Sequence, residues 1–88
     1  EQARKRAVAL QADLAKLRAL NPRATPARVQ IYADALADYR EAQANISQYG
    51  AIVNHPRTGA PITNPYITIR DRSADRLLKL DLKATGLW

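Results

Sequence analysis

A mostly helical fold is predicted for this chain of 88 residues. It comprises an antiparallel helical hairpin over residues 1–50, a short β-hairpin or extended crossover over 51–63, and a third, C-terminal helix with its tail over 64–88. Three observations predict it. Apolar residues recur at helical spacing in the stretches 3–17, 29–46 and 66–84. A capping residue followed by proline occurs twice, at Thr25-Pro26 and Asn64-Pro65. Gly50 and Gly86 stand where a periodic stretch runs out. The length allows one domain, and a chain this short buries only about 60–65% of its unfolded surface, so alone it would be marginal. With no Cys, no disulfide can staple it. Oligomerisation is the usual remedy.

In the first helix Ala3, Ala7, Leu10, Leu14 and Leu17 step by four and three, an a/d seam that predicts a helix over 3–20. Asn21-Pro22 ends it, because the residue before proline is pushed out of the α region. Thr25-Pro26 starts the second helix as cap and first helical residue. Val29, Tyr32, Leu36, Tyr39 and Ile46 line one face of it, with polar Gln43 among them. Ala33, Ala37 and Ala44 make a small-residue face that permits close approach of another helix, and Gly50 suits the C-terminal cap. A loop of about four residues makes the two helices antiparallel neighbours.

Ala51-Ile52-Val53 and Ala60-Pro61-Ile62-Thr63 flank a turn-like segment over 55–59. Two such strands are too little for an independent sheet, and Pro61 confines its strand to an edge, so hairpin and extended crossover both remain open. Asn64-Pro65 then restarts a helix. Its face is Tyr66, Ile69, Ser73, Leu77, Leu80 and Ala84, widened by Ile67, Ala74 and Leu78, and Thr85-Gly86 ends it.

The net charge is +6, which favours a polyanionic partner. The charge is unevenly spread: seven basic and two acidic groups in 1–28, one and three in 29–49, six and three in 50–88. An acidic middle helix between basic flanks would let hairpin packing pair unlike surfaces. Arg72, Arg76, Lys79 and Lys83 fall on one helical stripe. Two readings of that stripe stay open. Asp71 and Asp75 near the helix start and the lysines near its end compensate the dipole, with Asp75 and Lys79 an i,i+4 pair; or the stripe meets a polyanion or acidic partner. Arg4-Lys5-Arg6 opposes the dipole at a helix start, which points to a frayed, DNA-facing or interface-facing end. Neither cluster interleaves aromatics, so binding by base stacking is disfavoured.

No catalytic constellation is legible. His55 precedes Pro56 with no carboxylate at a helpful spacing, and Asp34 and Asp38 read as a solvated face. There is no glycine-rich phosphate cradle, no nucleophile elbow and no cofactor motif. One His and no Cys leave no metal cluster, and no apolar run approaches a membrane span. The expectation is a non-enzyme with no cofactor, metal or membrane partner. Opening on Glu1 rather than Met, the chain is expected to be a trimmed or processed piece of something longer. Tyr32, Tyr39, Tyr49 and Tyr66 suit a core or subunit boundary, and Trp88 is either a docking anchor or a loose tail.

The order of helix, Gly50, small hairpin, Asn64-Pro65-Tyr66 restart, a core of Leu77, Leu78 and Leu80, and a closing Gly86-Leu87 resembles the small subunit of phage terminases. The resemblance covers roughly residues 25–87. It implies a protein of the bacterial host cytoplasm that selects DNA for packaging and regulates the large ATPase/nuclease subunit. It also implies a homo-oligomeric ring, on the order of eight subunits by closed cyclic symmetry. Val29, Tyr32, Leu36, Tyr39 and Ile46 would then supply hairpin and ring contacts. Arg4, Lys5, Arg6, Arg72, Arg76, Lys79 and Lys83 are the candidate contacts to double-stranded DNA, weak and indifferent to sequence. Leu82, Leu87 and Trp88 would dock the motor, with Lys79 and Lys83 as rim, unless Leu82 and Trp88 instead fill the contact to a neighbouring subunit. Many relatives carry a separate N-terminal helix-turn-helix and a polar tail after the last helix, and the expectation for residues 1–88 is that neither lies within them. A packaging protein without a base reader, as in a gene transfer agent, fits that departure. Two rivals remain: a helical adaptor or scaffold oligomer with no nucleic-acid role, and a non-specific DNA-compacting protein.

Overall fold

The computed structural model describes residues 2–88, with side chains from residue 3 onward. Its elements are α1 (Gln2–Leu20), α2 (Pro26–Tyr49), β1 (Ile52–Asn54), β2 (Pro61–Thr63) and α3 (Tyr66–Leu80). The central element is α2. It packs against α1 on one side and, more extensively, against α3 on the other.

Local chemistry sets the helix boundaries. Thr25 caps α2, its Oγ1 accepting the Arg28 N–H at 3.2 Å, and Pro26 begins the helix. Gly50, at φ +87°, ends it and donates its N–H to the Ile46 carbonyl, a conformation that L side chains rarely adopt. The helix expected through Ala84 stops instead at Leu80. Asp81 takes the left-handed conformation at φ 49° and its N–H returns to the Leu77 carbonyl. Aspartate is one of the few non-glycine residues that tolerates this geometry, so it can end a helix without the glycine that sequence reading looks for.

The crossover is a true antiparallel hairpin, with Ile52 opposite Thr63, Val53 opposite Ile62 and Asn54 opposite Pro61. Pro61 opens its strand, where a missing N–H costs least. His55 shapes the turn: its Nδ1 accepts the N–H groups of Arg57 at 3.1 Å and Thr58 at 3.3 Å.

Asn64 joins three elements. Its side chain is buried, with Nδ2 donating to Asn45 Oδ1 at 3.0 Å and to the Gly50 carbonyl at 2.9 Å. Its Oδ1 accepts the Tyr66 N–H at 3.0 Å, and its backbone N–H donates to Ala51 at 2.7 Å. The end of α2, the hairpin and the start of α3 therefore meet at one amide. At the opposite end Arg28 donates to the Leu80 carbonyl at 2.6 Å, so α3 runs antiparallel to α2.

The core is built from Leu14, Leu17, Val29, Tyr32, Ala33, Ala35, Leu36, Leu77 and Leu87. Ala35 and Ala42, fully buried on α2, were not singled out by the apolar pattern, whereas Ser73 is buried on the face of α3 where the spacing placed it. The expected seam of α1 is only half used. Leu14 and Leu17 are buried and Leu10 is partly so, while Ala3 and Ala7 are exposed. Alanine side chains are too short to fill the space between the helices there, and a groove lined by Ala3, Ala9, Ala37 and Ala44 remains open. On α3, Ile69 and Leu78 also fall outside the buried face.

Replacing Asn64 by Ala would leave the Gly50 carbonyl, Asn45 Oδ1 and the Tyr66 N–H without their partner. We expect a loss of about 2–4 kcal/mol in urea unfolding, the range for orphaned buried polar groups. A loss below about 0.5 kcal/mol would mean that the amide is replaceable there.

Candidate nucleic-acid and assembly interface

The basic stripe of α3 begins as expected. Arg72, Arg76 and Lys79 are exposed and line a shallow cleft with Asp75 and Leu80. Lys79 pairs with Asp75 at 3.0 Å, and Arg70 with Asp71 at 3.1 Å. Arg72 and Arg76 enter no ion pair among the described residues. Lys79 thus serves the helix, as the dipole reading expects, while Arg72 and Arg76 face solvent. Lys83 does not complete the stripe. It lies beyond the break at Asp81, in a segment fastened by Asn21, whose Oδ1 accepts the Lys83 N–H at 2.8 Å and whose Nδ2 donates to the Lys83 carbonyl at 2.7 Å. Asn21 was legible only as a helix terminator, and its second partner lies 62 residues away.

The N-terminal basic cluster is split as well. Arg4 and Lys5 are exposed, whereas Arg6 donates to Asp38 Oδ1 at 2.7 Å and Glu41 Oε2 at 2.5 Å. Arg6 is held above its ordinary range, by the hydrogen bond to Asp38 first and then, against some desolvation, by the charges of Asp38, Glu41 and Asp34. A guanidinium held higher stays charged at every physiological pH, so its stabilisation is present throughout and provides no pH switch. These side chains are 40–59% exposed, which puts each pair at about 0–1 kcal/mol. The acidic face of α2 thereby meets the basic face of α1, as the charge distribution implied.

The proposed docking anchors are placed differently from expectation. Leu87 is buried at 4% exposure and Leu82 packs against the core, so neither is a free anchor. The segment 81–88 folds back over α2 as a strap. Arg40 holds it, one guanidinium nitrogen donating to the Leu87 carbonyl and the other to Asp13 Oδ2 at 2.7 Å. Trp88 donates its Nε1–H to the Tyr32 hydroxyl at 2.9 Å and sets its ring 5.1 Å from that of Tyr39. Trp88 is neither a free anchor nor a loose tail: it covers α2 while half of it faces solvent. Asp13, buried beside Leu14, was missed because one acid within an apolar-periodic stretch reads as its polar side.

Three of the expected ring contacts are consumed inside the subunit. Val29, Tyr32 and Leu36 are each at most 2% exposed, and only Tyr39 and Ile46 remain half-buried. The apolar side chains left outside are others, among them Val8, Ile31, Ile69 and Leu78, the last 72% exposed. The molecule is also long, 50 × 29 × 20 Å, with a radius of gyration of 15.0 Å where a compact chain of this size has about 12 Å. Its accessible surface is 6330 Å², against about 5,200 Å² expected for a folded monomer of this mass.

Among the described residues no group of His, Cys, Asp and Glu is placed to hold a metal ion. No helix among the described residues is long and apolar enough to cross a membrane. A sequence model of a known family, described as "Phage terminase, small subunit", matches residues 3–83, which takes in all three helices and the hairpin. No curated protein and no solved structure matches the chain.

The Arg40 clamp gives a direct test. Arg40→Leu leaves Asp13 buried without its partner and frees the strap, and should cost about 2–4 kcal/mol in denaturant unfolding. The double variant Arg40→Leu with Asp13→Leu should recover a large part of that loss, since no orphaned charge remains. Equal losses in the single and double variants would show that the pair itself does not matter.

Proposed function

The chain belongs to the phage terminase small-subunit family, and on that premise we propose a non-enzymatic DNA-packaging regulator. It assembles into a ring, touches double-stranded DNA through phosphates alone, and controls the large ATPase/nuclease subunit in the cytoplasm of a bacterial host. The observation that carries this reading is the extent of the family match, which spans hairpin and third helix together rather than a single motif.

The DNA contact in this reading is made by Arg72 and Arg76, the uncompensated cations of α3, with Lys79, Arg4 and Lys5 adding to the field. Two arginines on one exposed stripe hold a phosphate backbone, and two side chains are too few to fix a base sequence. Binding is then weak and indifferent to sequence, as a packaging system of the gene-transfer-agent kind requires. Arg6, committed to Asp38 and Glu41, contributes field rather than a contact.

The ring is supported by surface accounting. A chain exposing on the order of 1,000 Å² more than its mass calls for has something to gain from neighbours. With Val29, Tyr32 and Leu36 already packed, the subunit contacts fall to Val8, Ile31, Ile69 and Leu78, with Tyr39 and Ile46 at their edge. The rivals predict otherwise: an adaptor oligomer binds no DNA, and a compacting protein binds it without assembling a ring.

Light scattering over a concentration series should show a mass well above a dimer. Leu78→Asp or Ile31→Asp should lower that mass while the monomer stays folded by circular dichroism, whereas Leu36→Asp should unfold it. DNA binding should fall steeply with salt, and Arg72→Ala with Arg76→Ala should lower the log–log slope by about 1.8, at about 0.9 for each phosphate no longer neutralised. A strict monomer at millimolar concentration, or salt-resistant binding to one sequence, contradicts the reading.

A further inference from the structure

A recess lies where the α1–α2 turn meets the segment after α3. Leu20, Pro22, Ala24 and Leu82 supply its apolar wall, and the recess, open to solvent, has a volume of about 500 Å³. Arg23, Arg28 and Lys83 complete the lining, and no carboxylate lines it at all. None of these three cations is in an ion pair among the described residues. Arg28 spends one nitrogen on the Leu80 carbonyl, and the other two are exposed. The recess is pre-formed, because the two Asn21–Lys83 hydrogen bonds, at 2.7 and 2.8 Å, clamp its walls together. The start of α2 adjoins it and adds partial positive charge.

We propose that this recess docks the large packaging subunit, by taking an apolar side chain of that partner flanked by Asp or Glu. The proposal rests on the functional reading above and names the surface that reading leaves open. The recess offers two things at once: an apolar volume that holds one leucine or aromatic side chain, and a cationic rim with nothing of its own to neutralise it. An apolar anchor between acids satisfies both. A DNA backbone satisfies only the second, for it presents no side group to the apolar wall, and the exposed Arg72 and Arg76 already offer phosphates an open site. Leu82 keeps a part in docking, as wall rather than as free anchor. The fixed walls reduce the ordering that binding would otherwise require.

The test uses the double variant Arg23→Glu with Lys83→Glu, which alters exposed side chains and leaves Arg28 on its Leu80 carbonyl. Two probes are applied to the assembled protein: the large subunit of the same packaging system, and a 15-residue synthetic peptide with one tryptophan among glutamates. Wild-type protein should bind both, and the peptide should shift the amide resonances of Leu20, Ala24 and Leu82. The variant should bind both at least about tenfold more weakly with oligomer mass unchanged, and its loss of DNA affinity should be smaller than its loss for either acidic probe. Undiminished binding of both probes overturns the proposal, as does a loss confined to DNA, which would make the recess a phosphate site. A wild-type protein that takes the peptide at these residues but ignores the large subunit refutes the functional reading and leaves the acidic-anchor site standing. A peptide that shifts none of the three amides refutes the site.

Discussion

One buried amide fixes how α3 leaves α2. Asn64 lies where α2 has just ended and α3 has not begun, at a point where the chain reverses through a hairpin of three residues per strand. Such a hairpin has too little pairing to hold a direction by itself. The Asn64 side chain supplies the missing constraint by bonding backward to Asn45 and Gly50 and forward to Tyr66. A buried amide must have its partners, and only one relative placement of α2 and α3 provides them all. That placement turns Arg72 and Arg76 outward and brings Leu80 to Arg28, at the edge of the recess.

From there the charges divide. Those pointing between helices are neutralised inside the subunit: Arg6 by Asp38 and Glu41, Arg40 by Asp13. Those left over are almost all positive. Arg72 and Arg76 stand on α3 and Arg23, Arg28 and Lys83 around the recess, with the others spread over α1 and the hairpin turn. Arg40 has a second task, holding the strap that lays Leu87 and Trp88 across α2. The strap fills the furrow above α2, so the apolar face that sequence alone offered to a neighbouring subunit is occupied by the chain itself. What remains for neighbours is a scatter of exposed apolar residues and the alanine-lined groove beside the first turns of α1.

The legible parts of the fold were those set by near neighbours in sequence. Thr25-Pro26, Gly50 and Asn64-Pro65 act on residues two to four positions away, and the helix starts and the end of α2 follow from them. Between the hairpin and an extended crossover the sequence does not choose. The end of α3 was misjudged because the periodic pattern runs on to Ala84 while Asp81, a residue with no strong terminating signature, takes the left-handed turn. The site was harder to read. Periodicity says that Val29, Tyr32 and Leu36 are covered but not whether a neighbour or the rest of the same chain covers them. Likewise the roles of Asp13, Arg40 and Asn21 rest on partners 27 to 62 residues away, which no local pattern encodes. Arg72 and Arg76 could be read because nothing folds over them.

The central claim is that the Asn64 junction is as firm as the core and so orients α3. Native-state hydrogen exchange measures this most directly. The amides of Asn64, Tyr66 and Ile67, each bonded at the junction, should exchange only with a free energy close to that of global unfolding, matching Leu36 in the middle of α2. Exchange of those three by local opening at near-zero cost, while Leu36 stays protected, would mean that α3 is not held by this amide and would contradict the account.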